Sequence, residues 1–320
     1  MYKETRPFRS EFVPVRGLHY HVHIWNGQAG SALPPLVLLH GWMDVAASWQ
    51  FMVDAFSGAF AAGRTIIAPD WRGFGQTGLS PTGWQADSYW FADYLADLDF
   101  LLDHYAPNQA VDLVGHSMGG NVAMLYAGVR PMRIGKLVNL EGFGLPASRP
   151  NQAPGRYAQW MDELKSLQRG DMALKAYDDI GGVARRLMKT NPRLAPDKAR
   201  WLATHWARPD ASGKWQILGN PAHKITSAQL YRLDEVLEIH QRISAPVLAI
   251  EASHDSMGLW WKGRYCLDEY HQRLKQVADA RVAVIQDAGH MLHHDQPGPL
   301  ARLIEDFVNC DPIAGIKPGI

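Results

Sequence analysis

The sequence predicts an α/β fold, a doubly wound and mostly parallel sheet with an inserted helical lid. Three observations carry this. Short, near-continuous apolar runs recur along the chain, as expected of strands covered on both faces. Amphipathic helical stretches fall between them, and such alternation marks a parallel sheet with crossover helices. The alternation is interrupted once, by about a hundred residues that read as helix and loop.

The elements follow in order. Leu18–Trp25 sets His19, His21 and His23 against Tyr20, Val22 and Ile24, a period of two that reads as a half-buried strand. Leu36–Leu39 and Thr65–Ala68 are buried-strand runs. Asp87–Tyr105 is the clearest helix, with Tyr94, Leu98, Leu101 and Leu102 on one stripe and Asp93, Asp97 and Asp103 read as its wet side. The strand Val111–Val114, the helix Asn121–Val129 and the strand Lys136–Leu140 come next. Helical pieces at Tyr157–Leu167, Lys198–Trp206 and Ala228–His240 fill the interruption, and the sheet resumes with Val247–Ile250, Val282–Ile285 and a last helix at Leu300–Val308. Residues 1–144 and 243–320 are therefore expected to form the core, and 145–242 a lid over the sheet's carboxyl edge, where open α/β sheets bind ligands.

Composition narrows the partners. Among 320 residues, 32 Lys and Arg balance 32 Asp and Glu, which disfavours the basic surface that nucleic acid or an anionic membrane requires. Two cysteines, Cys266 and Cys310, cannot build a disulfide framework and fit a reducing compartment. Met1–Arg16 lacks the apolar core of a signal peptide, and no run approaches the roughly 18 apolar residues of a membrane span. A cytoplasmic protein with a small-molecule substrate is the expectation. The 12 tryptophans, from Trp25 to Trp261, stand out.

The strongest chemical signal is Gly115-His116-Ser117-Met118-Gly119, lying between a strand and a helix. G-x-S-x-G is weak alone, but strand–turn–helix context is what its physics requires: a strained turn lifts the Ser hydroxyl above the sheet beside a helix N-terminus. A nucleophilic Ser needs a base, and the base needs an orienting acid. His290 follows the run Val282–Ile285 on a loop at a strand's carboxyl end. Asp255 follows Val247–Ile250 in the same way and is the favoured acid, with Glu141 at the end of the preceding strand as its competitor. His293 and His294 lie further along the loop and read as surface or lid-facing.

With these motifs the sequence resembles the α/β-hydrolase superfamily over nearly its whole length. His40-Gly41-Trp42 is similar to that family's H-G-x oxyanion loop, with Trp49 at its downstream aromatic position. Asp70-Trp71-Arg72-Gly73-Phe74-Gly75-Gln76-Thr77 resembles its D-x-R-G-x-G-x-S/T turn. The Gly41-Trp42-Met43-Asp44 and Leu140-Glu141-Gly142-Phe143-Gly144 segments look most like the serine-hydrolase-like subgroup. The resemblance implies an oxyanion hole from the backbone N–H groups of Trp42 and Met118, a triad of Ser117, His290 and Asp255, and cleavage of carboxylic esters or related acyl compounds. No cofactor and no metal are required. Carbon–carbon bond hydrolysis of the meta-cleavage type uses the same triad and stays open, as does a non-catalytic receptor on the same fold. A Ser at the elbow, rather than an Asp, argues against the haloalkane dehalogenase and epoxide hydrolase branches.

Some patterns are set aside. Gly73-Phe74-Gly75-Gln76-Thr77-Gly78 fits G-x-G-x-x-G, but a loop rather than a helix follows it, so no N-terminus is there to hold a pyrophosphate. His19, His21 and His23 lie about 7 Å apart per step along a strand, and a solvated face explains them better than a metal. Among Trp160, Trp201, Trp206 and Trp215, most are expected to be anchors. One or two are expected to line an apolar pocket with Trp42, Phe143 and Trp260 or Trp261.

Overall fold

The apolar runs become the strands of one sheet in the computed structural model, which describes residues 2–26, 33–78, 86–254, 256–310 and 317–318. The strands in chain order are β1 (Arg9–Val15), β2 (Leu18–Trp25), β3 (Leu36–Leu39), β4 (Ile66–Pro69), β5 (Val111–His116), β6 (Ile134–Leu140), β7 (Ala176–Tyr177), β8 (Ala207–Pro209), β9 (Trp215–Ile217), β10 (Val247–Ala252), β11 (Ala280–Ile285) and β12 (Lys317–Pro318). Nine of them pair in the order β1-β2-β4-β3-β5-β6-β10-β11-β12. From β4 to β11 every pairing is parallel, while β1, β2 and β12 run antiparallel to their neighbours. The sequence-predicted α/β architecture is thus the observed one, with β1 as an edge strand that the apolar pattern did not announce.

Successive residues of the inner strands face opposite layers. Val37 and Leu39 join one apolar cluster with Leu113 and Leu137, whereas Leu36 and Leu38 join a second with Val114 and Val138. The helices Phe91–Tyr105 and Met118–Val129 cover the first face through Leu98, Val122 and Tyr126. Gln50–Ala55 and Pro297–Asn309 cover the second through Met52, Leu300 and Ile304. This two-sided cover explains why the strands read as unbroken apolar runs. The helix Phe91–Tyr105 starts four residues later than its periodicity suggests and stops before Pro107, whose ring disfavours helical backbone at the preceding residue.

Between β6 and β10 the chain forms the helices Ala153–Gln168, Ile180–Thr190, Pro196–Trp206 and Leu233–Gln241. It also forms a small antiparallel sheet in the order β7-β9-β8, whose residues are mostly part-exposed and carry no buried-strand signal. Asp179 caps the second helix, accepting from Gly182 N at 2.6 Å, and Pro196 opens the third at N1. Val183, Leu187 and Leu202 of this segment pack with Val45 and Phe51 into a third cluster. Among the described residues, no helix is long and apolar enough to cross a membrane.

Three polar readings are corrected. His21 and His23 are buried, not solvated, because β2 is paired on both edges and covered on both faces. His21 Nδ1 meets Asp70 Oδ2 at 2.8 Å, and His23 stacks on Phe8 with ring centroids 3.7 Å apart. Asp97 is fully buried rather than on the helix's wet side, lying three residues after Tyr94 and four before Leu101, inside the packed arc. It accepts from Arg72 Nη2 at 2.7 Å, from Arg16 Nη1 at 3.0 Å and from the Tyr20 hydroxyl. His293 and His294 are also buried, since the short helix Leu292–Asp295 turns inward against Ala46–Trp49.

Candidate active site

Ser117 joins β5 to the helix Met118–Val129 with φ 52° and ψ −115°, a conformation costly for a residue with a Cβ. Its neighbours explain how the strain is held. A Cβ on Gly115 would lie 2.4 Å from Gly119 O, and one on Gly119 would lie 2.2 Å from Leu39 O, so only glycines let strand and helix approach this closely. Ser117 N donates to Leu140 O at 2.8 Å, pinning the turn to β6.

His290 comes from the loop after β11. Its Nδ1 lies 3.1 Å from Glu141 Oε2, so the tautomer protonated at Nδ1 donates to the carboxylate and leaves Nε2 as the basic nitrogen. Glu141 stands at the carboxyl end of β6 with φ 55° and is 3% exposed. Ala252 N donates to its Oε1 at 2.8 Å and Ser256 Oγ to its Oε2 at 2.9 Å, so the carboxylate is aimed by two donors from the β10 side. Asp255, the acid that the sequence favours, lies outside the described residues. Burial pushes the His290 pKa down to about 3, which keeps the ring neutral at neutral pH, with a lone pair on Nε2. Trp260 stands edge-on to the ring, with centroids 4.1 Å apart. His116 Nε2 donates to His290 O at 2.8 Å and fixes the loop's backbone.

The loop after β3 is anchored through its first residue. Trp71 N donates to His40 Nε2 at 2.8 Å, which places the His40 proton on Nδ1, where it is donated to Gly41 O at 2.8 Å. Asp70 fastens the same region: Ala46 N donates to its Oδ1 at 2.7 Å and Gln76 N to its Oδ2 at 3.0 Å. Burial would raise the Asp70 pKa, but the hydrogen bond and charge of His21 outweigh it and hold the carboxyl down to about 2. The D-x-R-G-x-G-x-T segment is therefore a structural tie: Asp70 braces the loop carrying Trp42, and Arg72 reaches Asp97.

Ser117, Met118, Trp42, Glu141, Phe143 and His290 all border one cavity of about 1130 Å³. That is somewhat larger than most small-molecule sites. Its floor comes from the sheet's carboxyl edge, and residues of the 145–242 segment, among them Leu187, Trp206 and Val236, complete the wall. Of the four tryptophans in that segment, Trp206 borders the cavity; Trp160, Trp201 and Trp215 do not. Trp260 and Trp261 both border it, and Trp42, 53% exposed, is held by Nε1 donating to His223 O at 3.3 Å. Sequence reasoning gave no role to Ser256 or Asn139. Asn139 Oδ1 accepts from Gly142 N and its Nδ2 donates to Gly142 O, a clamp that shapes the chain just after Glu141.

Comparison with known proteins agrees with the fold. A family profile described as alpha/beta hydrolase fold matches residues 34–297. A serine hydrolase-like protein of Danio rerio is 23% identical over 306 residues, covering 93% of this chain and 88% of that protein. Epoxide hydrolase 2 of Siraitia grosvenorii is 35% identical over 128 residues, 40% of this chain and 37% of its own length. Among solved structures, the thioesterase domain from the curacin biosynthetic pathway superposes with a TM-score of 0.75 at 22% identity, covering 93% of this chain and 99% of that one, a likeness of fold.

Proposed function

The chain belongs to the alpha/beta hydrolase fold family, and from that premise we propose that it is a serine hydrolase of carboxylic esters or related acyl compounds with small to medium apolar substrates. The observation that carries the reading is the strained Ser117 elbow sharing one cavity with His290, whose Nδ1 meets the buried Glu141 carboxylate. Ser117 Oγ attacks the acyl carbon as its proton passes to His290 Nε2. Glu141 holds the imidazole and stabilises its charge. The N–H groups of Trp42 and Met118 receive the developing oxyanion. The imidazolium then protonates the leaving group, and a water deprotonated by His290 hydrolyses the acyl-enzyme.

The 145–242 segment serves as the lid, and Trp42 and Phe143 are substrate-binding side chains. The apolar side chains bordering the cavity, Met43, Leu95, Leu125 and Phe143 among them, support an apolar acyl or aromatic group. The test is labelling by a fluorophosphonate probe beside turnover of p-nitrophenyl esters of rising chain length. Labelling and turnover that vanish in Ser117→Ala support the reading. A Ser117 that stays unlabelled at neutral pH overturns it, and exclusive turnover of a ring-cleavage dienoate moves the activity to carbon–carbon hydrolysis.

A further inference from the structure

His116 has a role besides bracing the catalytic loop. Because its Nε2–H is donated to His290 O, its Nδ1 carries a lone pair, and that atom is buried with no hydrogen-bond partner. Two more such groups face it. Asp44 Oδ2 is buried and unpartnered, and His293 has a partner at neither ring nitrogen. The three residues are 6%, 2% and 1% exposed for Asp44, His116 and His293. One donor atom from each lies within 4.8 Å of the others, and His293 Nε2 is 3.9 Å from Asp44 Oδ2, too far for a hydrogen bond. Three converging polar groups without hydrogen-bond partners are costly in a buried pocket.

We propose that Asp44, His116 and His293 bind a divalent transition-metal ion of the zinc type, in a site adjoining the catalytic His290. The proposal goes beyond the hydrolase reading and does not depend on it. Two imidazole nitrogens and one carboxylate form a donor set suited to such ions. Bonds of about 2.0–2.2 Å need the donors drawn in by about 1 Å or less, a ring rotation rather than a refolding. The surroundings already orient the ligands: His116 gives its other nitrogen to a backbone carbonyl, and Trp206 Nε1 donates to Asp44 Oδ1 at 3.3 Å. Asp44 and His116 border the cavity, which gives the ion an entry path and a fourth position for water. The His116 and His290 ring centroids are 4.7 Å apart, so a bound dication disfavours the catalytic imidazolium, and occupancy slows the Ser117 reaction.

The test titrates the chelator-treated full chain with Co²⁺ and Zn²⁺, read by the visible absorption of Co²⁺ and by calorimetry. One ion per chain, weakened at least tenfold in both Asp44→Asn and His293→Gln with unchanged circular dichroism, supports the site. Absence of binding, or binding unaltered by both substitutions and hence due to surface histidines, overturns it. Should either variant fail to fold, native crystals soaked in Zn²⁺ decide: an anomalous peak among the three side chains supports the proposal, and a water or no density there overturns it.

Discussion

Glu141 Oε2 lies 3.1 Å from His290 Nδ1, and two further donors hold that carboxylate in place. An orienting acid fixes the imidazole tautomer and stabilises its charge, so replacing it with an isosteric amide presents the wrong tautomer to the nucleophile. Glu141→Gln is therefore expected to lower kcat by about 10³–10⁴-fold with little change in KM. Asp255→Asn is expected to stay within about tenfold. Steady-state kinetics of the two variants on one ester check this, and the opposite ranking assigns the acid to Asp255.

Acid should unfold the protein early. Nine of the 14 histidines, His23, His40, His116, His205, His223, His240, His290, His293 and His294, are held below their ordinary pKa by burial. A depressed folded-state pKa means that the unfolded chain binds more protons as the pH falls. Stability is then full above about 6.5 and is lost progressively below it. Asp44, raised to about 6 by burial, and Asp112, also raised, act in the opposite sense but are outnumbered. The urea midpoint is expected to fall steeply between pH 6.5 and 4.5; a flat profile there contradicts the burial of these rings.

The Asp97 network predicts an asymmetry. Arg72 and Asp97 form a buried pair with Tyr20 and Arg16 around it. Removing one partner strands a buried charge, so Asp97→Ala should cost about 3–5 kcal/mol by chemical denaturation. Arg72→Met combined with Asp97→Leu should cost much less. Equal losses in the single and double variants would show that the pair itself, rather than the stranded charge, carries the effect.

The sheet was legible because burial on both faces writes itself as unbroken apolar runs, as at Leu36–Leu39, and the alternating strand Leu18–Trp25 was legible from its period of two; both carry the same bounds in sequence and structure. The edge strand Arg9–Val15 was not, since its pattern mixes exposed Arg9, Ser10 and Phe12 with buried Val13 and Val15. The elbow could be read from local spacing, and so could the loop positions of His290 and Glu141. The choice between carboxylates could not, because Glu141 and Asp255 follow neighbouring strands of the same sheet, β6 and β10, and the spacing alone favours neither. Polarity also misled at His21, Asp97 and His293, where each buried group sits within reach of a residue far away in sequence. Asp97 alone had left a trace, its place on the stripe between Tyr94 and Leu101.

The 145–242 segment leaves the sheet from β6 and returns through β10, and these two strands are hydrogen-bonded neighbours, with Leu137 opposite Val247. Its two ends are therefore held side by side whatever lies between them. Loop-closure entropy grows only slowly with length, so the segment can be shortened, lengthened or exchanged without altering the register of any strand that carries Ser117, Glu141 or His290. On the proposed reading the reacting groups and the surface that selects what reaches them are separable under mutation, and replacing residues 145–242 with a foreign segment, which leaves Glu141 and Phe143 in place, is expected to redirect selectivity while the chemistry stays where it is.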